Sequence, residues 1–158
     1  MAKRRKKKKK EPEYEIYEIE VEDWKVAYDF GLNRLSRGII SGVYREHSEL
    51  ILIGKILSPV LIITSRAKIL IRADPRMDDH WKEKPTITSA EEIGWMQILR
   101  DEDKTLFFYC SIPSQSLPSL AVAANSGKIK FVSIYGTKLK WQKGTILNID
   151  LFTQHEED

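Results

Sequence analysis

Leu106-Phe107-Phe108-Tyr109-Cys110 is apolar at successive positions, and this run constrains the fold more than any other stretch. A strand sends alternate side chains to opposite faces, so an unbroken apolar run predicts a strand buried on both. The run opens a block from Lys104 to Phe152 that reads as strand, short helix and three closing strands. Ser116 is placed to cap the helix, and Pro118 falls in its first turn, where a missing N–H does no harm. Leu117, Leu120, Ala121 and Ala124 recur at helical spacing, and Asn125-Ser126-Gly127 is a stop signal. The helix is therefore expected near residues 117–125. Ile129, Phe131, Ser133 and Tyr135, then Leu139 and Trp141, then Leu147, Ile149 and Leu151 follow the alternation of strands.

The same period runs through the first half of the chain. Tyr17, Ile19 and Val21 share one face, and Glu18, Glu20 and Glu22 the other. Trp24, Val26, Tyr28 and Phe30 continue it out of phase, which implies a turn or bulge near Glu22-Asp23. Ile39–Tyr44 and Leu50–Leu57 read as two strands around the polar Arg45–Ser48, and Leu61–Thr64, Lys68–Ile71 and Ile93–Leu99 as three more. About eight to ten short strands at regular spacing predict a mostly β fold, an antiparallel β-sandwich in preference to a closed barrel. Its domain is expected over 14–152, between a disordered basic tail at 1–13 and an acidic tail at 153–158. Leu106, Phe108, Cys110, Phe131, Leu139, Trp141 and Ile149 are the expected core.

Charge is distributed unevenly. Lys3, Arg4, Arg5, Lys6, Lys7, Lys8, Lys9 and Lys10 place eight bases in the first ten residues. Taking those eight from the total of 26 leaves 18 bases against 23 acids in residues 11–158, a formal −5. An acidic body thus carries a basic tail, and the overall net charge of +3 describes neither. The single cysteine sits in the most apolar strand, which suits a buried hydrophobe in a reducing compartment. No stretch approaches the ~20 apolar residues of a membrane span. The basic start lacks a following apolar region, Ala2 replaces the glycine that myristoylation needs, and the last residues carry no lipidation box. A cytoplasmic location is the resulting expectation.

The tail is the strongest functional signal. Eight adjacent cations suit a polyanion such as DNA, RNA or an anionic surface, with no aromatic residue to read bases. The competing readings are a solubilising end, a protein-bound segment or an import signal. The aperiodic segment 74–88 holds a second candidate, Asp78, Asp79, His80 and Trp81, which offers hard ligands, an imidazole and a stacking ring to a small ligand or carbohydrate. Two adjacent carboxylates and one histidine define no metal geometry, and a solvated connection with Trp81 tucked onto the core is the commoner arrangement for such a loop. Neither metal nor cofactor is expected. His47 between Glu46 and Glu49 reads as an exposed imidazole among carboxylates, and Ser111, Ser114 and Ser116 as turn and cap residues without a nucleophile elbow. Trp24, Trp95 and Trp141 read as core or rim. Exposed aromatics aligned on one outer face would reverse that assignment.

The function that follows is a non-enzymatic binding or assembly module, whose tail makes sequence-independent contact with nucleic acid and whose body meets a protein partner or a second copy. A ligand- or carbohydrate-binding β-domain using the 74–88 loop is the alternative, and an enzyme ranks third.

Overall fold

Tyr17 and Ile19, Leu50 and Leu52, Ala67, Ile69 and Ile71 are each at most 1% exposed, and they recur at every second position along their strands. That period turns one face of each strand inward, and the sheet closes around the side chains so gathered. The computed structural model describes residues 11–34, 40–78 and 93–154. Its elements are β1 (Tyr14–Arg34), β2 (Ile40–Ser58), β3 (Arg66–Asp74), β4 (Gly94–Ile98), β5 (Leu106–Pro113), α1 (Leu117–Asn125), β6 (Phe131–Thr137) and β7 (Lys143–Phe152). The chain is mostly β with one short helix. The strands close into a barrel in the order β1-β2-β3-β5-β4-β7-β6, with β6 returning to β1. Only β3 and β5 run parallel among these pairs.

The closed barrel corrects the sandwich, and the strands are fewer and longer than expected. Arg45–Ser48 does not break the chain into two strands; β2 passes straight through it. β1 likewise continues across Glu22-Asp23 with the anticipated register shift, between Val21 and Asp23. These segments belong to a hairpin arm, paired from Glu18↔Ser58 out to Arg34↔Ile40. The ladder to β6 ends at Glu20, and the ladder to β3 begins at Glu49. Beyond those points a two-stranded ribbon runs with water on both faces, so polar residues interrupt nothing.

Two further expectations are overturned. Leu61–Thr64 is a loop, with Val60 and Ile62 almost fully exposed. Leu139–Trp141 is part of the tight β6–β7 connection, where Trp141 and Gln142 adopt φ of 55° and 64° and Lys140 pairs with Lys143. Trp141 is therefore 87% exposed and lies outside the core. Leu106, Phe108 and Cys110 are fully buried as expected, while Phe131, Leu139 and Ile149 are only partly covered.

The interior is filled. Tyr17 on β1 meets Phe108 on β5 edge to face at 5.8 Å, across the barrel axis. Helix α1 lies at the end from which the arm departs and buries Leu117 and Ala124. It stops where the sequence signals: Lys128 N–H donates to Ala123 O, Gly127 N–H to Ala124 O, and Gly127 takes φ +67°. Ser116 occupies the N-cap position without a side-chain cap bond.

Candidate nucleic-acid interface

Residues that alternate with the core ones point outward, and β3, β5, β4 and the start of β7 place an unusual set side by side. Register puts Leu70 beside Tyr109, Tyr109 beside Trp95, and Trp95 beside Thr145. The next row runs Lys68, Phe107, Gln97, Lys143. With strands about 4.8 Å apart, Lys68 and Lys143 stand roughly 14 Å from each other with Phe107 and Gln97 between them. Outward positions from Arg66 to Arg72 on β3, with those of β4, β5 as far as Ser111, and β7 as far as Thr145, carry no carboxylate.

The aromatic rings form a ladder. Trp95 stacks on Tyr109 at 5.6 Å and 13°, and lies 5.5 Å from Phe107 at 50°. The Arg72 guanidinium sits 5.5 Å from the Tyr109 centroid and is held there by the Glu49 carboxylate, its cross-strand neighbour. The hydrogen bond that Arg72 donates to the Glu49 carboxylate raises the Arg72 pKa, so the guanidinium stays charged. Trp95 nonetheless remains 42% exposed, a ring with room for a further flat partner.

This outer face corrects the expectation of a central strand buried on both sides. Phe108 and Cys110 face the core, but Phe107 and Tyr109 face outward and are half covered by Trp95 and Arg72. Of the three tryptophans only Trp95 lies on this face, 42% exposed; Trp24, on the arm, is 37% exposed, and Trp141, in the β6–β7 turn, is 87% exposed.

From Trp95 the surface continues into two adjoining clefts. One, of about 380 Å³, is lined by Trp95, Met96, Gln97, Lys143, Gly144 and Thr145. The other, of about 580 Å³, shares Lys143, Gly144 and Thr145 and adds Lys138, Lys140 and Glu11–Glu13. Lys138 N–H donates to Glu13 O at 2.8 Å, and its ammonium lies 3.6 Å from the Glu13 carboxylate. The basic tail, Lys3–Lys10, lies outside the described residues, but it joins the body at Glu11, on this cleft. Glu11 and Glu13 also line this cleft, and Asp101, Glu102 and Asp103 are exposed in the β4–β5 connection; on the barrel wall Glu18 and Glu20 point outward from β1, and Asp150 from β7. In a ring of seven strands β5 is three steps from both β1 and β6, so the aromatic and acidic faces lie on opposite sides.

The other candidates disperse. Asp79, His80 and Trp81 lie outside the described residues. The Asp78 carboxylate accepts from the Ser114 N–H at 2.6 Å and from the Ser114 hydroxyl, tying the end of β3 to the start of α1. Glu49 is engaged by Arg72, Tyr28 bonds Glu46, and His47 sits opposite Asp29 on the arm. Cys110 is buried, which pushes its thiol up to about 12 and leaves it protonated. Among the described residues no group of three or more His, Cys, Asp or Glu could hold a metal, and no helix is long and apolar enough to cross a membrane. Family models, curated proteins and solved structures were compared with the chain, and none matches.

Proposed function

We propose that the protein binds single-stranded nucleic acid with little sequence preference. The Trp95–Tyr109–Phe107 face would stack bases, Lys68 and Lys143 would meet phosphates, and the lysine-lined cleft would lead the strand toward the basic tail. The observation that carries this reading is an exposed aromatic ladder flanked by Lys68 and Lys143 on a stretch of β3, β5, β4 and early β7 whose outward positions carry no carboxylate. Base–aromatic stacking contributes about 1–3 kcal/mol per base and tolerates any base, whereas cations alone do not distinguish a single strand from a duplex. A tail acting by itself would leave the body indifferent to strandedness.

The proposal is binding without turnover, in a reducing cytoplasmic compartment as the single cysteine suggests. The ligand-loop alternative has less support, because Asp78 is already bonded to Ser114.

Fluorescence-anisotropy titration of the full chain with a labelled thymine oligonucleotide, and with a duplex of equal length, tests the reading at several salt concentrations. It predicts tighter single-strand binding that quenches tryptophan emission, with a salt slope no steeper than the contacts allow, about −7 if the eight tail cations, Lys68 and Lys143 all engage. Equal affinity for both ligands with unquenched tryptophan would reduce the interaction to the tail.

A further inference from the structure

Past Val21, β1 leaves the barrel and, among the described residues, pairs only with β2. Its other edge carries a row of backbone groups. Val21 N–H donates across it to Lys130 O at 2.8 Å. After the register shift Trp24 N–H also turns from the β2 ladder and is taken by Asp23 Oδ1 at 2.8 Å. Strand alternation then directs the N–H and C=O of Val26, Tyr28 and Phe30 outward as well. The side chains of those residues form an exposed stripe: Trp24 37%, Val26 49%, Tyr28 65% and Phe30 58%. Lys25 and Asp29 are exposed on the opposite face of the ribbon. Long edges of this kind pair with other strands unless something blunts them.

We propose that this edge pairs antiparallel with the same edge of a second copy, about a two-fold axis through Ala27. The register follows from the sequence. Antiparallel self-pairing centred on Ala27 sets Lys25 against Asp29 of the second copy, twice. It sets Trp24 against Phe30 and Val26 against Tyr28, also twice each. Trp24–Phe30 and Val26–Tyr28 become the hydrogen-bonded pairs, as their outward backbone groups require. Lys25–Asp29 and Ala27–Ala27 become the non-hydrogen-bonded pairs, whose side chains stand closest. A centre on Val26 opposes Asp23 to Asp29, one on Lys25 opposes two lysines, and one on Asp29 opposes two aspartates, while one on Tyr28 leaves Lys25 and Asp29 opposite Gly31 and Ala27 without a charged partner. The interface is isologous, as a two-fold dimer requires. In the monomer the Asp23 carboxylate occupies the N–H that the second strand would otherwise fill.

Sedimentation of the full chain across a concentration series provides the test, together with three variants. The wild type is expected to form dimers. Lys25→Asp places like charges opposite each other twice and should weaken association at least about tenfold, 1.4 kcal/mol, at unchanged melting temperature of the barrel. Lys25→Asp with Asp29→Lys restores the opposition and should restore the dimer. Ala27→Cys brings two thiols to a Cα separation of about 4.5 Å, within disulfide range, and should cross-link on mild oxidation while the buried Cys110 does not. A monomeric wild type at every concentration would overturn the proposal. So would a Lys25→Asp variant that associates like the wild type, failure of the double exchange to rescue, or an uncross-linked Ala27→Cys protein.

Discussion

Phe107 and Phe108 are the same residue one position apart, and they face opposite worlds. Phe108 is fully buried against Tyr17, while Phe107 lies on the outer face beside Trp95. Phe108→Ala should cost about 3–5 kcal/mol, and Phe107→Ala about 1 kcal/mol or less, measured by denaturant unfolding. Equal losses would mean that the strand is buried on both faces after all. Tyr17 tests the same interior by pH. Burial first, and the Glu15 charge second, push its hydroxyl from the usual 10.0 up to about 12. The folded state thus favours the neutral phenol. Its contribution is fully present below pH 10 and is lost as the pH rises toward 12. Tyr17→Phe should flatten the stability profile over that window, and an unchanged slope would contradict the burial. At this scale the sequence marked Leu106, Phe108 and Cys110 correctly, because continuous apolar runs identify a strand. It could not say what covers Phe107 and Tyr109, because their cover comes from Trp95 and Arg72, which are distant in the chain.

Among the elements, the helix was the most legible, since Pro118 and Gly127 act through local backbone geometry. The arm was the least. Arg45–Ser48 reads as a break only if every strand must bury a face, and a ribbon in solvent has no such requirement. Trp141 was misplaced for a related reason: alternation through Leu139 and Trp141 mimics a strand, while Trp141 and Gln142 turn into the left-handed region. The β4–β5 pairing presents Trp95, and Gly94 controls it. A Cβ at Gly94 would lie 1.9 Å from Tyr109 O, a contact that backbone must move to relieve. Gly94→Ala should therefore cost about 3 kcal/mol, the upper end for overpacking, and should shift tryptophan emission in the folded protein. A variant of wild-type stability and spectrum would show that the two strands are not so closely paired.

For the molecule as a whole, alternation made a mostly β chain with one helix predictable, but closure was not. Sandwich and barrel use the same period, and they differ in which distant strands meet, here β6 with β1. The site was legible only in part. The eight basic residues are contiguous and visible, whereas Lys68, Trp95, Phe107 and Lys143 come from four separate strands. Opposed faces also explain how a body of formal charge −5 can offer a cationic surface. The central claim is that the barrel itself recognises a single strand. Among the described residues every buried hydrophobic one lies between Tyr17 and Ile146, so residues 11–158 retain that core. The most direct measurement is the affinity of that truncated chain for a thymine oligonucleotide, with and without Trp95→Ala. The account predicts binding weaker than that of the full chain but retained, preferring single strand to duplex, and a further loss of about 1–3 kcal/mol on removing Trp95 at little cost in stability. Loss of all binding with the tail, or an undiminished affinity in Trp95→Ala, would contradict it.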